Sequence, residues 1–203
     1  MGVWVRRQVA RLFWLFSRWR LVPEANPHHG PRLMLGAPHT SNFDFVLMLA
    51  IAWRAGLKVR WLGKQELFKG IAGPIMRGLG GIPVDRSRPE GIVGEVVALA
   101  KGDAEFALVV TPEGTRSGSS WRSGFYRIAY RAGLPVTMGF ADGSTRSAGL
   151  GPTIELTGDV EADMSVIREF YADKTGVKPE LRTEPRLQDE ARLTAYLRES
   201  RNN

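Results

Sequence analysis

Short apolar runs alternate with longer mixed stretches along most of this chain. Arg32-Leu-Met-Leu-Gly36 reads as a buried strand, and Pro38 forces an extended exit from it towards His39. Phe43 to Ala55 is apolar and free of glycine and proline, which predicts a helix. Ser41 is placed as its N-cap and Asp44 as its third residue, a capping-box pattern. Strands follow at 59–62 and 81–85, separated by a broken helical region over 64–79 that contains Pro74 and several glycines. Residues 89–101 predict a helix. Glu105-Phe-Ala-Leu-Val-Val110 is the clearest strand, an apolar run bounded by turn signals, and it delivers the chain to Pro112-Glu113-Gly114. Beyond it come a helix at 123–132, strands at 135–140 and 153–157, and helices near 163–173 and 187–200. Strands alternating with helices predict an α/β fold over 32–203, a mixed and mostly parallel sheet covered by helices.

The first 22 residues read differently. Residues 4–20 predict an amphipathic helix in which Trp4, Leu12, Phe13, Trp14, Leu15, Phe16 and Trp19 are interleaved with Arg6, Arg7, Arg11, Arg18 and Arg20. No apolar run reaches the roughly 18 residues that span a bilayer. Arginines interrupt the apolar part and no small-residue cleavage site is evident, so a signal peptide fits poorly. Tryptophan at the headgroup boundary and arginine against anionic lipid suit a helix lying in a membrane surface. A helix docked on the domain by its aromatic face is the plainer alternative; the density of apolar residues favours the membrane surface. The start Met-Gly is of the kind that is myristoylated, but Arg6 stands where Ser or Thr is required. Residues 22–31, with three prolines and a glycine, read as a linker, which makes His28 and His29 linker side chains.

Composition narrows the class. A chain of 203 residues, 43% hydrophobic and 24% charged, suits one well-buried domain with a terminal extension. It has no cysteine, which excludes disulfides, thiolate nucleophiles and thiolate metal sites. A net charge of +7 favours phosphate-bearing partners: nucleic acid, anionic lipid or a phosphorylated metabolite.

Two segments carry candidate chemistry. In His39-Thr-Ser-Asn-Phe-Asp44, the incoming loop can fold the imidazole back onto a carboxylate in the first helical turn. The carboxylate then fixes the tautomer and leaves the other ring nitrogen as a base, with a reference pKa of about 6.5. A plainer reading makes Asp44 a cap and His39 a hydrogen-bonded loop residue. Ser41 is not favoured as a nucleophile, because no Gly-x-Ser-x-Gly elbow occurs. In Thr111-Pro-Glu-Gly-Thr-Arg-Ser117, Gly114 permits close backbone approach and Arg116 can grip a phosphate bidentately with Thr115 or Ser117. Lys64, Arg86 and Arg122 are further cations near strand ends; each also reads as a solvated surface charge. No P-loop is present, and one histidine beside one aspartate is too thin for zinc.

Together these residues resemble the glycerolipid acyltransferase family, typified by the lysophosphatidic acid (1-acylglycerol-3-phosphate) acyltransferases. His39 to Asp44 is similar to its His-x4-Asp block, and Gly80-Gly-Ile-Pro-Val-Asp-Arg86 to its second block. Pro112-Glu-Gly-Thr-Arg-Ser117 is similar to the third and Leu134-Pro135-Val136 to the fourth. Lys64-Gln-Glu-Leu67 sits where the family often has a Lys-x-Glu-Leu segment. Thr111 stands where Phe is common, Pro83 interrupts the second block, and Trp121-Arg-Ser-Gly-Phe125 replaces a more basic stretch.

The resemblance implies a glycerol-3-phosphate acyltransferase-like fold and a reaction in phospholipid synthesis. A fatty acyl group would pass from acyl-CoA or acyl-ACP (acyl carrier protein) to a hydroxyl of lysophosphatidic acid or a related glycerol phosphate. His39 would be the general base and Asp44 its orienter. Lys64, Arg86 and Arg116 would hold the phosphate, with Thr115 and Ser117 beside them, while Glu113 and Gly114 shape the acceptor site. No metal or cofactor is implied, nor a nucleic-acid partner. The expected location is peripheral to the membrane, on the cytoplasmic face of the inner or plasma membrane. Two rivals remain: a lipid hydrolase or thioesterase in which His39 activates water, and a non-enzymatic basic membrane-binding protein.

Overall fold

The computed structural model describes residues 2–84, 89–114 and 120–201. Among these, seven strands form one sheet: β1 (Arg20–Val22), β2 (Arg32–Ala37), β3 (Val59–Lys64), β4 (Gly81–Val84), β5 (Ala107–Val110), β6 (Val136–Asp142) and β7 (Ser147–Ile154). Their order is β1-β7-β6-β2-β5-β3-β4. From β6 to β4 every neighbouring pair is parallel. β7 runs antiparallel to β6, and β1 runs parallel to β7. The predicted mixed, mostly parallel α/β sheet is therefore what forms.

The period of two along each strand divides its side chains between two cores. Leu33 and Leu35 of β2, Leu108 of β5, and Val136 and Met138 of β6 face one side. That side is covered by α4 (Pro89–Lys101), α5 (Gly124–Ala132), α6 (Val160–Tyr171) and α7 (Glu190–Arg201). Met34, Ala107, Val109 and Ala141 face the other side. Over them lie α1 (Val3–Phe16), α2 (Phe43–Ala55), a short 3-10 turn at Gln65–Phe68 and α3 (Ala72–Gly78). Fully burying one such aliphatic side chain contributes about 1.5–3 kcal/mol, so two filled faces hold the sheet between its helices.

The N-terminus departs from expectation. The helix expected over 4–20 ends at Phe16, and Arg20–Val22 instead pair with Ser147–Gly149 as an edge strand. Ser17 is extended, and its Oγ accepts a bond from Trp19 N–H, which turns the chain out of the helix. Along α1 the Ala10, Phe13 and Trp14 side docks on α2: Ala10 is buried, Phe13 packs on Phe43, and Trp14 Nε1 donates to Ala50 O at 3.2 Å. Arg6 donates to Gly78 O at 3.0 Å and lies over Trp53 near the end of α2. α1 thus runs antiparallel to α2, with its C-terminal end beside the start of α2. Its other side remains exposed, Leu15 at 72% and Phe16 at 79%. No helix among the described residues is long and apolar enough to cross a membrane.

A second departure concerns β7, which occupies Ser147–Ile154 rather than 153–157. Gly149 interrupts its apolar pattern for a steric reason. A Cβ there would lie 2.2 Å from the carbonyl oxygen of Val22, so the neighbouring strand needs a glycine to approach.

Candidate active site

Parallel strands bring their C-terminal ends to one edge of the sheet, where α/β proteins place their sites. Leu35 lies opposite Val110, Trp61 opposite Val109, and Lys64 opposite Val84. The segments that follow β2, β5 and β3 therefore leave the sheet side by side, about 4.8 Å from strand to strand. His39 follows β2, Glu113 and Gly114 follow β5, and Lys64 ends β3 as an exposed side chain. Arg86, Thr115, Arg116 and Ser117 lie outside the described residues.

β2 gives way through the cis bond Ala37–Pro38 to the His39 loop, which enters α2. The N-cap of α2 is Asn42, not Ser41, and Asp44 is the second helical residue, not the third. Only part of the expected capping box forms. Ser41 Oγ accepts from Phe43 N–H at 3.1 Å, while Asp44 Oδ2 reaches back to the N–H groups of Thr40 and Ser41, each at 2.7 Å. The reason is electrostatic: a carboxylate in the first turn faces the positive helix end and gathers backbone donors that have no intrahelical partner.

The same Asp44 Oδ2 lies 3.1 Å from His39 Nδ1. An ionised carboxylate only accepts, so Nδ1 donates to it, and in the neutral ring this tautomer leaves the lone pair on Nε2. Both side chains are partly shielded, His39 at 21% and Asp44 at 13% exposed. The sequence-based pairing of His39 with Asp44 is thus formed in space.

Glu113 joins this pair from the neighbouring strand. Its Oε1 accepts from His39 N–H at 3.0 Å, and the residue is 2% exposed. Burial pushes its pKa above the usual carboxylate range, partly countered by the His39 N–H bond. The buried Tyr171 hydroxyl donates to Gly139 O at 2.8 Å; burial pushes its pKa well up, with a smaller contribution from the Glu113 charge. Gly114 has φ +68°, so a turn of this shape suits glycine. Arg122 passes over it, its Nε 3.5 Å from where a Cβ would stand. Of the cations singled out in the sequence, Arg122 therefore lies beside Glu113-Gly114 and Lys64 on the same sheet edge, two strands from His39. Trp121, the departure from a basic stretch, is 1% exposed and packs on Phe125 and Tyr171. It serves the core there.

One set of contacts had no signal in the sequence. Thr40 is 2% exposed, and its Oγ1 accepts from Lys178 N–H at 3.0 Å, across 138 residues of chain. Gly176 lies against the same side chain. Nothing in the composition near 176–178 points to residue 40; only the fold brings them together.

The arrangement can take a proton at His39 Nε2 beside a strand edge that presents cations. Among the described residues no cluster of His, Asp and Glu could hold a metal ion. No curated protein matches this chain. Its fold is similar to the crystal structure of the 1-acyl-sn-glycerophosphate (LPA) acyltransferase PlsC from Thermotoga maritima, with a TM-score of 0.56 and 17% identity over 98% of this chain and 76% of that one. The model of the acyltransferase family matches residues 22–138, more than half of the length, and includes His39, Asp44 and Glu113. The chain belongs to the acyltransferase family.

Proposed function

We propose that this acyltransferase moves a fatty acyl group from an acyl thioester, acyl-CoA or acyl-ACP, to a hydroxyl of lysophosphatidic acid or a related glycerol phosphate. The observation that carries the reading is the 3.1 Å approach of His39 Nδ1 to Asp44 Oδ2 at the C-terminal edge of the sheet. His39 Nε2 takes the proton of the acceptor hydroxyl as its oxygen attacks the thioester carbonyl carbon. The tetrahedral oxyanion collapses, the C–S bond breaks, and the thiolate leaves with the proton from the imidazolium. A thiol has a pKa near 8.5, so the thiolate leaves with little assistance. Asp44 stabilises the imidazolium while it exists. Lys64, Arg86 and Arg116 hold the acceptor phosphate, Thr115 and Ser117 assist, and Glu113-Gly114 shape the floor beside His39.

The same reading places the protein on the cytoplasmic face of a membrane. What supports it is α1, which keeps Leu12, Leu15 and Phe16 exposed beside the start of α2, on the same sheet edge as His39. Exposed Arg11 and Arg18 flank them and suit anionic headgroups.

Purified protein incubated with a labelled acyl thioester and a panel of lysophospholipid and glycerol-phosphate acceptors tests the reading. Esterified product is expected, with His39→Ala slower by about 10²–10⁴-fold. Free fatty acid in place of any ester would favour the hydrolase. Unaltered turnover in His39→Ala would remove the base.

A further inference from the structure

The family match ends at residue 138, yet the loop carrying His39 is held from one side by residues well beyond it. Thr40 forms the junction. Its N–H donates to Asp44 Oδ2 at 2.7 Å, and its Oγ1 accepts from Lys178 N–H at 3.0 Å. Gly176 sits directly on the loop. A Cβ at that position would stand 2.7 Å from Thr40 Cγ2, 2.8 Å from Thr40 Oγ1 and 3.2 Å from Pro38 Cβ. The backbone at 176–178 therefore touches the residues on both sides of His39. Its φ of +74° and this closeness together require glycine.

The holding segment is itself anchored. Asp142, the last residue of β6, is 5% exposed. Its Oδ1 accepts from Thr175 Oγ1 at 2.6 Å, its Oδ2 from Thr145 Oγ1 at 2.5 Å, and Ser144 Oγ donates to the same carboxylate. Burial alone would raise the Asp142 pKa, but the hydroxyl bonds from Thr145, Thr175 and Ser144 outweigh it and hold the carboxyl well below its usual range. Gly143 N–H donates to Gly176 O at 2.8 Å, and Gly176 N–H to Ala141 O at 3.1 Å. β6 pairs directly with β2, Phe140 opposite Ala37. Anchor and catalytic loop thus leave adjacent strands of one sheet.

We infer that Thr40 is a positioning residue, and that Thr175–Lys178, anchored on Asp142, is a brace that holds the His39–Asp44 pair at its reacting geometry. The inference rests on the proposed role of His39 as base. A base displaced by about 1 Å loses on the order of 10²-fold in rate. Glu113 and Asp44 hold the backbone N–H groups of the loop, and Lys178 and Gly176 add the hold on the Thr40 side chain. The brace supplies that restraint without touching substrate, so its loss acts on the chemical step rather than on binding.

Thr40→Val keeps the shape but removes the acceptor for Lys178 N–H; Thr40→Ser keeps the hydroxyl. Asp142→Asn weakens the anchor from the far side. Two measurements on the full chain decide the matter: kcat and KM for thioester and acceptor, and amide hydrogen exchange in residues 38–46 without substrate. In Thr40→Val, kcat is expected to fall about 10- to 100-fold, each KM to stay within about twofold, and exchange in 38–46 to quicken. Asp142→Asn is expected to do the same to a smaller degree, and Thr40→Ser to keep near-wild-type values. Wild-type kcat in Thr40→Val, a rise in KM alone, or unchanged exchange in 38–46 would each overturn the brace. Absence of transfer by the wild type to every acceptor would sink the role of His39, while the exchange measurement would still judge the brace by itself.

Discussion

Glu113 and His39 show how much a single buried carboxylate can couple to a loop. Glu113 accepts the His39 N–H from a position 2% exposed, and burial raises its pKa. A raised carboxyl pKa means that the folded chain holds the proton more tightly than the unfolded one. Its contribution to stability is therefore full below the unfolded value of about 4.3 and is lost as pH rises through the folded value. Glu113→Gln, whose amide oxygen can still accept from His39, is expected to have a higher thermal midpoint than wild type at pH 8. The gap should close towards pH 4; equal midpoints at pH 8 would contradict the sign. Asp142 works the other way. Its depressed pKa adds stability above about pH 3.9, lost as pH falls through the folded value. Asp142→Asn should therefore lower the urea midpoint at pH 7, and the deficit should shrink as the buffer is taken into the acid range. At this scale the His39–Asp44 pair was legible, because five residues around a helix start leave few ways to arrange a loop. The contacts of Thr40 were not, since hydroxyl partners separated by 138 residues leave no local pattern.

α1 is an element with two apolar sides, one used and one open. Phe13 and Trp14 fasten it to α2, while Leu15 and Phe16 stay exposed. The double substitution Leu15→Ser with Phe16→Ser should lower partition onto anionic phospholipid vesicles and leave the thermal midpoint unchanged; undiminished vesicle binding would remove α1 from the contact. β7 tells the opposite story about glycine. Gly149→Ala should push β1 away and cost about 1–3 kcal/mol in a denaturant titration, because its Cβ meets the Val22 carbonyl at 2.2 Å. The helices expected at 43–55 and 89–101 form as α2 and α4 with those bounds. Elements whose pattern serves a neighbour were misplaced. β7 carries its glycine for β1, and residues 20–22 become a strand only because β7 offers an open edge.

Over the whole molecule, the chain must travel from the edge strand β1 to the central β2, past β7 and β6. A proline-rich connection with little core of its own makes this crossing. It is pinned where Glu24 Oε1 meets Arg32 Nη1 at 3.0 Å, with side chains only 10% and 4% exposed. Glu24→Ala leaves the Arg32 charge uncompensated and should cost roughly 3–5 kcal/mol by urea unfolding; a loss under about 1 kcal/mol would make the pair an ordinary surface contact.

By itself the amino-acid order determined the alternation of strand and helix, the mixed and mostly parallel character of the sheet, the loop position of His39 and Glu113 after their strands, and Asp44 within reach of His39. These rest on local signals: periodicity, turn residues and caps act within a few positions of themselves, and the regular alternation of strand and helix then implies parallel pairing. Tertiary structure alone decided that Glu113 bonds the His39 backbone, that residues 176–178 press on Thr40, and that residues 20–22 extend the sheet as an edge strand. Those contacts arise where burial forces polar groups from distant segments to satisfy one another, and that demand exists only once the chain has folded.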